Sequence, residues 1–459
     1  MATKSIRVFA PTGALGMGFL DDSLARAVEM KPDVIACDAG STDSGPHYLG
    51  AAKAKMSEQA IRRDMGRLLQ ARDKLQVPLI IGSCGTSGTD AGVDWMRDIT
   101  RALAAEQKLS FKLGLAYCEQ PTEQIAQWMQ SGKVQALPGA PNTSSEDAAS
   151  CTHIVAMMGA EAIAHLLEQA CDVILAGRTT DTALFAAMPL MQGYPPGPVW
   201  HCAKTIECGA VCSTKMRADG LMADIDAEGF EVEPTALDAG CTPLGVASHT
   251  LYENADPIYI TEPSGVLDTG QAAYQPINER RTRVTGSGFE HKPYSIKLEG
   301  AAPLGYQTVA IGGIRDPYIL RQLDTWTAEM MSAFKTRVAE LTPYTLGQEV
   351  RIDISYYGRD AVMLSGETQA ADNGHENGIL IVVTAPEQDT ANTVARFVTH
   401  AASHWPIPEW KGFISGIAFP FSPPEIDRGM AYRFVLHHVV TDVAPLDLFR
   451  FHVEEVQHG

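Results

Sequence analysis

The chain of 459 residues lacks most of the signatures that declare a function outright. No apolar run approaches the length that spans a bilayer, and the first residues lead into an apolar strand pattern with no cleavable leader expected. The nine cysteines are scattered singly, odd in number and without a CxxC pair. That pattern speaks against a disulfide framework and a cysteine-rich zinc site, and it predicts a reducing, cytoplasmic setting. Basic charge is scarce too: 36 Lys and Arg face 55 Asp and Glu, for a formal net charge of −19. Without a positive field, neither nucleic acid nor an anionic membrane surface is an expected partner. A small anionic substrate needs only one or two local cations and stays open. Familiar catalytic motifs are missing as well. There is no GxSxG elbow, no HExxH and no Lys-Ser/Thr pair after a glycine loop.

What is present is an ordinary globular balance, 45% apolar and 20% charged, in a chain too long for one core. Short β-branched runs at 6–10, 33–37, 77–81, 111–117, 133–137 and 172–176 alternate with helical patterns at 23–30, 57–75, 93–107, 121–131 and 159–170. Such alternation predicts an α/β fold, an open and mainly parallel sheet with helices on both faces. The rhythm stops at the proline cluster 194–198. A Gly/Pro-punctuated, strand-like section follows at about 220–315, then an amphipathic helix over 317–341. The last part reads strand (350–357), strand (378–384), helix (388–405) and strands near 414–419 and 432–440, which suits a small α+β domain. The expected division is therefore 1–345, including the β-rich section, and 346–459.

In an open parallel sheet, ligands bind beyond the carboxyl ends of the strands. The exit after 33–37 is the richest in chemistry: Asp38, Ser41, Thr42, Asp43, His47 and Tyr48 fall within eleven residues, with Gly40 and Gly45 among them and Gly50 just beyond. The plain alternative is a turn whose polar residues cap the next helix. After 77–81 comes a glycine-rich loop with Ser83, Gly85 and Thr86, leading into a helix and suited to a phosphate or carboxylate. After 172–176 come Arg178 and Asp181; the guanidinium fork could hold a carboxylate, or the pair could simply fix the loop. Lys204, Glu207 and Cys208 stand together beside Gly209. On a strand, Lys204 and Cys208 would share one face and Glu207 the other. Glu207 or Cys208 could act as acid/base or nucleophile, although a free cysteine is more often a packing residue. The first exit, with Gly13, Gly16 and Gly18, is not in GxGxxG order, so a nicotinamide cofactor is not expected. Asp38, Asp43 and His47 offer oxygen and nitrogen ligands, which keeps a divalent metal ion open as a cofactor.

Taken in order, these segments resemble the acyclic terpene utilisation (AtuA) family. The resemblance is carried by Asp38-Ala39-Gly40-Ser41-Thr42-Asp43-Ser44-Gly45-Pro46, Ile80-Ile81-Gly82-Ser83 and Ala176-Gly177-Arg178 with Asp181. It continues through Lys204-Thr205-Ile206-Glu207-Cys208-Gly209-Ala210, Ser248-His249-Thr250-Leu251-Tyr252-Glu253 and Lys297-Leu298-Glu299-Gly300-Ala301. Cys84 departs from the alanine common in similar proteins. The resemblance implies a catabolic protein of carboxylic-acid or acyl-CoA breakdown, with a ferredoxin-like final domain.

Three functions follow as alternatives. The first is a lyase or hydratase acting by acid/base chemistry on a small carboxylic acid or its CoA thioester. Its expected catalytic groups are Asp38, Asp43, His47, Glu207 and Cys208. Substrate would be held by Ser41, Thr42, Tyr48, Ser83, Gly85, Thr86, Arg178, Asp181 and Lys204. The second is a hydrolase or acyl transferase with Cys208 or Ser41 as nucleophile. The third is a non-catalytic binding subunit that works with a partner enzyme. A homo-oligomer is expected in each case.

Overall fold

Where the chain can bury both faces of an apolar run, it forms a central strand: every residue of Val34–Asp38 and Leu79–Gly82 is buried. These strands lie within a computed structural model that describes residues 5–366, 374–408 and 415–457. Two units make up the chain, Met1–Ala302 with Phe434–Gly459, and Pro303–Arg433. The fold is α/β.

The first unit is built on a ten-stranded sheet. Its centre is parallel, in the order Ile6–Ala10, Val34–Asp38, Leu79–Gly82, Val173–Ala176 and Phe111–Tyr117. Leu221–Ile225 and Gly229–Pro234 extend one side antiparallel, followed by Thr282–Thr285 and Ala273–Pro276. The β-rich section thus continues the main sheet, with a separate three-stranded sheet of Tyr259–Glu262, Gly265–Asp268 and Gly288–His291. On the other side Arg450–Val456 pairs antiparallel with Phe111–Tyr117. The covering helices begin where caps allow. Ser57 accepts from the Ala60 amide to start Glu58–Leu75, whose Ile61, Met65, Leu68 and Leu69 repeat at helical spacing and are buried. Thr89 caps Asp90–Gln107 by accepting from the Gly92 amide at 3.2 Å. Among the described residues no helix is long and apolar enough to cross a membrane.

Three expectations need correction. The run at 133–137 does form a strand, Val134–Ala136, but outside the parallel sheet, paired antiparallel with His438–Val440. Only Val134 of its three residues is buried, too little apolar surface for a sheet covered on both faces. His153–Ala156 is a strand that no element was expected to supply; it pairs antiparallel with Leu298–Ala301. The prolines at 195–198 start a helix rather than end the pattern. Pro196–Ile206 has proline at its first positions, and every residue from Gly197 onward is buried.

In the second unit, Tyr306–Ile314 pairs antiparallel with Asn377–Ala385, and that strand pairs with Arg351–Tyr357. The helix expected over 317–341 is divided into Pro317–Leu320 and Leu323–Leu341. Leu323–Leu341 and Gln388–Ser403 bury Trp326, Phe334, Val394 and Val398 in one core with Ile379 and Ile381. The strand expected near 414–419 begins outside the described residues; within them, Ala418 bridges Gly313.

Candidate active site

Beyond the carboxyl ends of Ile6–Ala10 and Val34–Asp38 the first unit opens into a cleft of about 560 Å³. Its walls include Thr12, Asp38, Ser41, Asp43, Lys55, Thr86, Asp181, Cys208, Arg217, Tyr252 and Glu253. Six residues singled out from sequence therefore meet there: Asp38, Ser41, Asp43, Thr86, Asp181 and Cys208. Ser83, Arg178, Lys204 and Glu207 are buried and absent from the lining. Thr42, His47, Tyr48 and Gly85 do not line it either. His47 and Tyr48 sit in the short helix Pro46–Gly50, their rings edge-on at 5.5 Å.

Two close approaches bring the loops together. A Cβ on Gly40 (φ +144°) would lie 2.6 Å from the Thr86 Cα, and one on Gly88 (φ +68°) only 2.1 Å from the Arg178 amide nitrogen. Only glycine fits such contacts at these backbone angles. The loop after Leu79–Gly82 is also strained. Ser83 and the β-branched Thr86 both have positive φ, 45° and 82°, a cost found most often at functional sites.

The glycine loop was expected to offer its amides to an anion. The Ser83 and Cys84 amides instead donate to Gly177 and Ala176 at 2.9 and 3.0 Å. The amide of Asp90, at the start of the following helix, donates to the Glu119 carboxylate at 2.8 Å. A side chain of the same protein thus occupies that helix N-terminus.

Arg178 is held through Nε and Nη1. Its Nε donates to Glu299 Oε2 at 3.0 Å, and its Nη1 donates to Asp181 Oδ1 (3.0 Å), Thr179 O (2.8 Å) and Ser83 Oγ (3.2 Å). Lys297 holds the other oxygen of Glu299 at 2.7 Å. Burial opposes the Glu299 charge, but Arg178 and Lys297 outweigh it and hold the carboxyl down at about 2. Through this cluster Arg178 fixes Asp181 at the cleft wall.

Asp38 is poised differently. It is 5% exposed, reaches the cleft, and its Oδ1 has no hydrogen-bond partner. Burial, followed by the charge of Asp181, pushes its carboxyl well above the usual range; Arg178 and a hydrogen bond from Ser83 pull the other way. A carboxyl beside a cleft whose hold on its proton is strengthened in this way is suited to give and take protons.

Behind the Cys208 wall lies a second buried group. Because Pro196–Ile206 is a helix, Lys204 and Glu207 share a face and form a buried ion pair, contrary to the strand reading that put them on opposite faces. Burial lifts the Glu207 carboxyl to about 8 against the pull of Lys204, with Asp181 and Glu262 adding to the rise. Glu262 accepts from Thr182 at 2.8 Å and is lifted to about 8, chiefly by burial. Burial and Lys204 lower His249 to about 4, so its imidazole is neutral. Burial and Glu207 push the Cys208 thiol far up, which disfavours a resting thiolate.

Sequence reasoning assigned no role to Glu262, His249, Tyr252, Glu253 or Lys55. Glu262 did carry a signal: it occupies an inward position of the alternating strand Tyr259–Glu262, where a charge needs a reason.

The fold and cleft define an α/β protein with a carboxylate-rich site at the exits of its parallel strands. Residues 14–195 and 221–415, most of the chain, match the family described as acyclic terpene utilisation family protein AtuA, and the chain belongs to that family. No curated protein and no solved structure matches it.

Proposed function

We propose that the chain is an enzyme of acyclic terpene breakdown, a lyase or hydratase that moves a proton on a small carboxylic acid or its CoA thioester. The observation that carries this reading is Asp38: a buried carboxyl at the cleft, with one oxygen unpartnered and its affinity for a proton raised by burial and by Asp181. Proton removal beside a carbonyl, or protonation of a departing hydroxyl, needs a base or acid whose affinity for the proton lies near working pH. Lys55 supplies a cation for an anionic substrate, since among the described residues its ammonium donates only to the neutral Ser44 hydroxyl, at 3.1 Å. Arg217 is less available, because its guanidinium already binds Asp238. Asp43 accepts from Ser41 at 2.9 Å on the outer wall, where the two can orient substrate. The nine free cysteines suit a cytoplasmic location, and a homo-oligomer belongs to the same reading.

The test is direct. Purified protein is incubated with branched unsaturated and hydroxylated short acids, and with their CoA thioesters, in deuterated water. Either gain of heavy water with deuterium on carbon, or loss of water, is expected by mass spectrometry. Asp38→Asn should lower turnover at least about a hundredfold without lowering the melting temperature. Undiminished turnover in that variant would refute the assignment of Asp38.

A further inference from the structure

We propose that Glu207, Cys208 and His249 form a binding site for a divalent transition-metal ion of the zinc type. Among the described residues these three offer a carboxylate oxygen, a thiol sulfur and an imidazole nitrogen, all within 4.8 Å of one another. Ligand atoms around a tetrahedral zinc lie about 3.5 Å apart, given metal–ligand bonds of about 2.0–2.3 Å. Small side-chain rotations therefore close the set around an ion. Sulfur and nitrogen in one ligand set favour zinc, cobalt or a similar ion over magnesium or calcium, which prefer oxygen alone.

An independent observation comes from His249. Its side chain is nine-tenths buried or more, with 5% of the residue exposed, yet Nε2 has no hydrogen-bond partner. The Lys204 carbonyl accepts a hydrogen bond from the same ring. The Tyr252 ring stacks on it at 5.6 Å and 14°. A histidine that donates one ring N–H to a backbone carbonyl and keeps a bare second nitrogen is arranged as metal-binding histidines are. Lys204 does not block the site, because it engages Glu207 Oε1 and leaves Oε2. Its charge also offsets the two anionic ligands. On binding, the Cys208 thiol and the Glu207 carboxyl give their protons to solvent as the sulfur–metal and oxygen–metal bonds form.

Three protein ligands leave a fourth position. Cys208 lines the cleft while Glu207 and His249 lie behind it, so that position is reached from the cleft. The inference is independent of the role given to Asp38, and its test uses no substrate. The full-length protein, stripped with chelator, is titrated with Co²⁺ and then with Zn²⁺. One Co²⁺ per chain is expected, with a thiolate-to-cobalt charge-transfer band in the near ultraviolet that Zn²⁺ bleaches. Cys208→Ser should abolish that band, and Cys208→Ser and His249→Gln should each weaken Zn²⁺ binding at least about tenfold. The metal-free melting curve of Cys208→Ser, a half-buried and nearly isosteric change, shows whether the fold is kept. Failure of the wild-type chain to bind one ion overturns the proposal. So does cobalt binding without a thiolate band, or wild-type affinity in both variants.

Discussion

Replacing Arg178 by methionine keeps much of the buried stem and removes the guanidinium. Glu299 and Asp181 then lose the charge that both of them accept from. Removing one partner of a buried ion pair costs about 3–5 kcal/mol, because the other charge is left uncompensated. A second route to the magnitude uses Glu299 itself. Its carboxyl is held at about 2 against an ordinary 4.5, a displacement corresponding to about 3 kcal/mol of stability at neutral pH. Lys297 remains in the variant, so the lower end of the range, about 3 kcal/mol, is expected. Unfolding entropy of about 2.1 cal/mol/K per residue, over a unit of roughly 300 residues, turns this into a fall in Tm of about 5 °C. The sign with pH is also determined. The folded value of Glu299 lies below its unfolded one, so its contribution is complete above about 4.5 and fades as pH falls toward about 2. Calorimetric melts of wild type and Arg178→Met should therefore converge as the buffer is taken from about pH 5 down toward about pH 2.5. The double variant Arg178→Met/Glu299→Gln, which removes the stranded charge, should melt above Arg178→Met. The reasoning is refuted if Arg178→Met melts with the wild type, or if the double variant is no better than the single.

Other substitutions probe the same region. Asp38→Asn removes a carboxyl whose folded value lies above its unfolded 3.8, a group that costs stability as pH rises through and above that value. The variant should therefore gain in Tm over wild type more at pH 8 than at pH 5, as read by circular dichroism. By the same sign rule Glu262→Gln removes a carboxyl lifted to about 8; its advantage over wild type should grow between about pH 4.5 and pH 8 and level off above that, in urea titrations at fixed pH. Gly88→Ala places a Cβ 2.1 Å from the Arg178 backbone, a clash with no flexible partner, and should cost more than about 3 kcal/mol. Soluble yield and melting temperature report it. Deleting the strand Arg450–Val456 uncovers the Phe111–Tyr117 edge of the main sheet, and the shortened chain should aggregate, as light scattering would show.

Much of the fold was legible because a parallel sheet covered on both faces needs continuous apolar strands, and Val34–Asp38, Leu79–Gly82 and Val173–Ala176 are such runs. His153–Ala156 escaped notice because its antiparallel partner, Leu298–Ala301, lies far along the chain. Local pattern carries no trace of such pairing. The same contrast divides the site. Asp38 was found because it ends a buried strand, and strand ends in this topology face the ligand. Glu207 was noticed too, but read in the wrong element. The prolines at 195–198 look like a terminator, yet proline at a helix start is well tolerated, and Pro196–Ile206 runs on to bring Lys204 and Glu207 onto one face.

That single reassignment alters the chemistry available to the protein. On a strand, Glu207 would turn away from Cys208, and the thiol would stand alone as a candidate nucleophile. At the end of a buried helix, Glu207 is held by Lys204, and Cys208 reaches the cleft beside a neutral, partly unpartnered His249. A thiol raised by burial is a poor resting nucleophile. The same burial does not weaken a thiolate formed on a metal, because the ion's charge more than replaces the lost hydration. On the two proposals, the cleft carries two separable devices: Asp38 with Asp181 for proton transfer, and the Glu207–Cys208–His249 cluster for an ion. Asp38→Asn should abolish the first and leave metal binding intact, while Cys208→Ser should do the reverse to binding and leave the pH-dependent stability of Asp38 unchanged. If Asp38→Asn also strips the metal, the two are one site, and the division drawn between them is wrong.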